Sequence, residues 1–127
     1  MLAEVVDDVG RALADDGRVA WLTTTGRTSG EPRSVAVGYV GEPDGAILVA
    51  ANEPTTDWAL NLLRDPLVRV EIGERRFTAR AEELPRAEHS RAVGALILRY
   101  GTPSERLGRG PSFRLRPVAG PAPDEPV

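Results

Sequence analysis

Apolar residues at Leu2, Val5, Val6, Val9 and Leu13 recur at helical spacing, with Asp7, Asp8, Asp15 and Asp16 between or beyond them. This pattern predicts an amphipathic first helix that ends near Gly17. Residues 18–25 are rich in apolar and β-branched side chains and predict a strand, followed by a turn over residues 26–32. Residues 34–40 read as its antiparallel partner, and residues 41–45 turn the chain again. Residues 46–51 are too short and too continuously apolar for a surface helix, so a buried strand fits better.

Thr56 or Asp57 can cap a short helix that runs through Arg64 and is closed by Asp65-Pro66. Residues 67–72 alternate, with Val68, Val70 and Ile72 inward and Arg69 and Glu71 outward. Gly73-Glu74 turns into residues 75–82, which alternate again. Pro85 opens a second long helix to about Tyr100, carrying Ala92, Val93, Leu96, Ile97 and Tyr100 on one face. A loop over residues 101–111 and a last strand over residues 112–116 follow. Residues 1–117 form a single domain, and the Pro-rich residues 118–127 read as a disordered tail. Five or six short strands, mostly in hairpins, imply an α+β, mainly β chain built on an antiparallel sheet. A sheet of that size can remove its edges by curling into a barrel flanked by the helices.

Composition narrows the chemistry. The chain has no cysteine, which excludes disulfides, thiolate catalysis and Cys-based metal sites. All 16 cationic residues are arginine, so any anion site must use guanidinium groups, hydroxyls and backbone N–H. The net charge of −3 gives no electrostatic footprint for nucleic acid. The acidic start lacks the pattern of a signal peptide, and no stretch approaches the roughly 20 apolar residues of a membrane span. The expectation is a cytoplasmic protein with no membrane span. No metal-ligand spacing occurs, so no metal site is expected.

The informative segment is Thr24-Thr25-Gly26-Arg27-Thr28-Ser29-Gly30-Glu31-Pro32-Arg33. Gly26 and Gly30 permit a tight backbone and close approach by a ligand. Thr28 and Ser29 offer hydroxyls, and Arg27 and Arg33 offer charge, which together suit a concave anion site. The same composition also suits an ordinary polar hairpin turn.

Thr-Thr-Gly-Arg-x-Ser-Gly-x-x-Arg after a hydrophobic strand resembles the signature of the deazaflavin (F420)-dependent nitroreductase and quinone-reductase family. Residues 47–52, Trp58-Ala59-Leu60-Asn61-Leu62, and the pair formed by residues 65–72 and 77–80 match further family blocks in order. The resemblance covers roughly residues 19–83. It implies a split antiparallel β-barrel related to the FMN-binding pyridoxamine-phosphate oxidases. It also implies reduced coenzyme F420 as cofactor and hydride transfer to an electron-poor acceptor such as a quinone or nitro compound. Carried over, Arg27, Thr28, Ser29, Gly30 and Arg33 hold the cofactor's phosphate. Ala50, Ala51 and Asn52 line the deazaflavin ring or its linker, and Trp58 and Asn61 face the same cleft. Read from the residues themselves, Trp58 also suits a core anchor and Asn61 a local backbone hydrogen bond. Related barrels pair as homodimers, which sets that expectation here.

The sequence departs from the family at Thr28 and near Asn52, where lysine is common, at Ala59, where tyrosine is common, and in a shortened loop before Trp58. Two consequences stay open: weaker phosphate binding, or its redistribution onto arginines such as Arg64 and Arg80. FMN on the same barrel is an alternative cofactor, and a non-catalytic flavin or ligand carrier is an alternative function. The sole histidine, His89, among Glu88, Ser90 and Arg91, reads as a solvated surface residue, and Tyr39 and Tyr100 as packing residues.

Overall fold

Burial alternates along the strands, and the alternation shows which face each presents. In the computed structural model, which describes residues 2–101 and 108–118 with side chains from Asp8 onward, β1 (Ala20–Thr25) buries Ala20, Leu22 and Thr24. It pairs antiparallel with β2 (Pro32–Val37), with Thr24 opposite Arg33 and Thr25 opposite Pro32, so the residues between them form a hairpin tip. β5 (Leu67–Ile72) flanks β1 on its other side and forms a hairpin with β6 (Arg75–Glu83). β7 (Ser112–Pro117) then joins β6 to β4 (Ile47–Ala50), which pairs with β3 (Val40–Gly41).

The result is one sheet of seven antiparallel strands, ordered β2-β1-β5-β6-β7-β4-β3, where five or six were expected. The difference arises at Gly38-Tyr39. The continuous strand expected over residues 34–40 breaks there, and the chain passes from one end of the strand order to the other. A side chain at position 38 would meet the Tyr100 ring, since an added Cβ lies 2.9 Å from it. Because the two edge strands are joined by this link, the sheet curls into a split antiparallel barrel.

Thirteen buried residues fill the barrel in one cluster that includes Leu22, Val49, Val70, Phe113 and Leu115. Each such side chain contributes about 1.5–3 kcal/mol by leaving water. Among the described residues, three α-helices surround it. α1 (Leu2–Asp15) stops just before Gly17, whose φ of 78° ends the helix. Val9, expected on its apolar face, is 56% exposed; Gly10 and Ala14 are buried instead, and the Arg11 guanidinium adds a polar contact. That guanidinium lies 5.3 Å from the Trp21 ring centroid and 2.9 Å from Glu71 Oε1. Glu71, read as outward, is therefore half-buried beneath α1. The Arg11 hydrogen bond holds its carboxyl below the ordinary value.

α2 (Asp57–Arg64) adds Trp58, Ala59 and Leu62 to the main core. α3 (Arg86–Tyr100), preceded by Pro85, packs Val93 and Leu96 on Ala50 in a second cluster. Both tyrosine hydroxyls are spent on backbone: Tyr39 donates to Gly17 O at 2.8 Å and Tyr100 to Arg18 O at 2.7 Å. Among the described residues no helix is long and apolar enough to cross a membrane. Pro117 belongs to β7, and the Val118 N–H donates to Thr78 O at 2.9 Å. The rest of the expected tail, residues 119–127, and residues 102–107 of the expected loop lie outside the described residues.

Candidate functional site

The hairpin tip between β1 and β2 is closed by its own backbone. Gly26 N–H donates to Glu31 O at 2.8 Å, and Gly30 N–H returns to Gly26 O at 2.8 Å. The Ser29 hydroxyl accepts from Glu31 N–H at 3.1 Å. Two glycines make this possible: a Cβ at Gly26 would lie 2.8 Å from Ser29 Oγ and 3.1 Å from Glu31 O, and Gly30 has φ 75°. The closure leaves donors over. Among the described residues, the Thr28 and Ser29 N–H groups and the Thr28 hydroxyl make no hydrogen bond. Adjacent unpaired amides at a turn form a small anion-binding concavity.

Helix α2 lies beside this tip and joins it through Asn61. Asn61 Oδ1 accepts from Arg27 N at 3.2 Å and from Arg27 Nη1 at 2.8 Å. Asn61 Nδ2 donates to Thr24 Oγ1 at 3.0 Å, and Thr24 Oγ1 lies 3.4 Å from Arg33 O. Arg27 Nη2 also pairs with the Asp57 carboxylate at 3.0 Å. Asp57 and Asn61 are four residues apart, so one helical face holds both. Between hairpin and helix opens a cleft of about 780 Å³, lined by Arg27, Thr28, Ser29, Arg33, Asp57 and Trp58 among others. That volume lies within the range of small-molecule sites. Arg33 is the freer cation: its side chain is 63% exposed, and its carboxylate neighbour, Glu31, stands 3.9 Å away.

A model of the F420H2-dependent quinone reductase family matches residues 2–104. The chain belongs to this family. Solved structures agree on the fold. One described as an F420-H2 dependent reductase (FDR-A) has a TM-score of 0.66 at 24% identity, covering 78% of this chain and 94% of that one. Another, described as a domain-swapped dimer, gives 0.66 at 21% identity, covering 91% and 100%. The HutZ heme storage protein from Vibrio cholerae gives 0.67 at 19% identity, covering 91% and 92%. No curated protein matches the sequence.

In this F420H2-dependent quinone reductase family member, the residues singled out from sequence fall into three groups. Arg27, Thr28, Ser29, Arg33, Trp58 and Asn61 all line the cleft. Gly30 does not line it; it borders a smaller concavity of about 470 Å³ that Arg27, Thr28 and Ser29 also line, together with Arg64. Arg80 lines neither; it stands on β6 between Leu67 and Arg116. Ala50, Ala51 and Asn52 do not border the cleft either. Ala50 is buried against α3, and Ala51 is in the core with its N–H on Pro111 O at 2.9 Å. Asn52 is exposed at the strand end.

Trp58 is both a core residue and a lining residue of the cleft. It is 8% exposed and packs on Phe113, ring centroids 6.0 Å apart, while its remaining edge walls the cleft. Asp57 and Thr24 were missed as site residues. The spacing of Asp57 from Asn61 was the available signal for the first; the Thr-Thr-Gly-Arg run contains the second but gives it no role.

His89 is corrected outright. It is half-buried, with Nδ1 2.7 Å from the Oγ of Ser112, a fully buried residue on β7. The tip and cleft suit a phosphorylated cofactor: a glycine-containing turn with three unpaired donors and the exposed Arg33 guanidinium border one open space.

Proposed function

We propose that this chain is an oxidoreductase that binds reduced coenzyme F420 and serves an electron-poor acceptor such as a quinone or nitro compound. The observation that carries the reading is the set of unspent donors at the hairpin tip, on residues that line a cleft bordered by Trp58. Thr28 and Ser29 N–H, the Thr28 hydroxyl, Arg27 and Arg33 would hold the phosphate of the cofactor's tail. Charge-assisted hydrogen bonds of this kind are the strong ones, and guanidinium suits phosphate geometry. Trp58 would shield one side of the ligand from water. When bound, the reduced deazaflavin supplies a hydride, which accounts for a site without a nucleophile or an acid–base pair. By likeness to the dimeric structure above, a homodimer is the expected assembly.

Fluorescence titration of the protein with F420 and, in parallel, with FMN tests the reading. Micromolar or tighter binding of F420 alone is expected, lost when Arg27→Ala and Arg33→Ala are combined. Preference for FMN would move the protein to the flavin-binding branch, and binding of neither would end the assignment. Turnover of a quinone or nitro acceptor with reduced F420 separates an enzyme from a carrier.

A further inference from the structure

Asn61 and Thr24 are the enclosed polar groups at the cleft, 3% and 2% exposed, whereas Thr28, Ser29 and Arg33 are open. A ligand therefore meets the hydroxyls and arginines first. Both polar atoms of the Asn61 amide are also engaged inside the protein. Arg27 offers only donors, so Oδ1 must face it and Nδ2 faces Thr24; the amide cannot turn over without losing both Arg27 bonds.

The guanidinium has five N–H donors. Those of Nη1 go to Asn61 Oδ1 at 2.8 Å and Asp57 O at 3.4 Å, and one from Nη2 goes to Asp57 Oδ1 at 3.0 Å. What remains is Nε–H and one Nη2–H, donors on neighbouring nitrogens that can grip a phosphate. A second branch runs from Asn61 through the Thr24 hydroxyl to the Arg33 carbonyl. One buried amide thus touches the side chain of one arginine and, by way of Thr24, the backbone of the other.

We propose that Asn61 is a positioning residue: it holds Arg27 by its Nη1 side so that the remaining Nε and Nη2 donors are presented to the phosphate of the ligand, and it does not itself contact that ligand. The inference rests on the phosphate reading above and deepens it. Its signature is selective, because only ligands that carry the phosphate should sense the loss.

The test compares the affinity of the full chain for F420 and for its phosphate-free deazaflavin riboside, by fluorescence titration. Asn61→Ala is expected to weaken F420 about tenfold or more, the scale of one charge-assisted hydrogen bond, and to leave the riboside nearly unchanged. Thr24→Val removes the partner of Nδ2 but leaves the Arg27 bonds, so it should cost stability while keeping the preference for F420. In an Arg27→Ala background, Asn61→Ala should change nothing further. Equal weakening of both ligands, a Thr24→Val loss as large as that of Asn61→Ala, or additive losses in the double variant would each overturn the proposal. Should Asn61→Ala not fold, Asn61→Ser carries the same comparison. If the wild-type chain binds F420 no better than the riboside, the phosphate reading fails first and this inference falls with it.

Discussion

Two corners of the barrel each hold a polar cluster between a helix and the sheet, and they differ in how many donors are left over. At the α3 corner, Arg114 donates through Nε to Glu42 at 2.7 Å and through Nη2 to Glu88 at 2.9 Å. Its side chain is 17% exposed, and the bonds to Glu42 first and Glu88 second hold the guanidinium more firmly charged than usual. Beside it, the His89 ring meets Ser112 Oγ at 2.7 Å through Nδ1 and Gly108 O at 3.4 Å through Nε2. These groups satisfy one another. At the α2 corner, Asn61 is as thoroughly engaged, yet two backbone amides, the Thr28 hydroxyl and most of Arg33 are left open. A cluster that satisfies itself fastens a helix to a sheet, and one with donors to spare can recognise something else.

That contrast can be broken from either side. The largest effect is expected at the closed corner. Arg114→Ala leaves Glu42 and Glu88 facing each other without their cation, at a cost of about 2 kcal/mol in urea denaturation. F420 affinity should stay unchanged, and a loss of binding would erase the distinction. At the open corner the outcome inverts: Arg33→Ala should weaken F420 about tenfold while the urea midpoint hardly moves, since the side chain is solvent-facing.

His89→Ala strands the buried Ser112 hydroxyl and should cost about 1 kcal/mol, again with no effect on ligand. Asp57→Asn removes a carboxylate from the cleft and frees a donor of Arg27. Exposed pairs are worth under about 1 kcal/mol, so phosphate affinity by calorimetry should rise about two- to fivefold, less at high salt.

The smallest effect lies outside both corners. Arg11 holds the Glu71 carboxyl below its ordinary 4.5, and the Ala46 N–H holds that of Asp44 below 3.8. Depressed folded values contribute stability above the ordinary range and lose it as pH falls through the lowered values. Stability should therefore be flat from neutral to about pH 5 and decline below about pH 4, with Glu71→Gln shallowing that decline.

Elements whose pattern repeats within one segment were legible in the sequence. The period of residues 67–72 gave β5 its inward Val68 and Val70, and Gly26-x-x-x-Gly30 marked the tip that lines the cleft. What escaped was set by distant partners. β3 has two residues, too few for any period, and exists because Val40 and Gly41 meet β4. His89 sits among charged neighbours in sequence but reaches Ser112 on a strand formed much later in the chain. Asn61 was marked by resemblance and Arg27 by composition, yet that one grips the other follows from helix α2 lying against the hairpin, which no local signal encodes.

The placement of β7 has a consequence for the order in which the molecule can assemble. Among the described residues it is the last strand in chain order, but it sits inside the sheet, between β6 and β4, with Val49 opposite Phe113. Until it is synthesised, β2-β1-β5-β6 and β4-β3 are two separate ribbons, each with an edge open to wrong partners. The contacts that unite them span much of the chain, and such topologies fold in milliseconds to seconds rather than microseconds. A nascent chain therefore carries both halves of its barrel unsealed until the final strand threads between them and delivers Phe113 to the core.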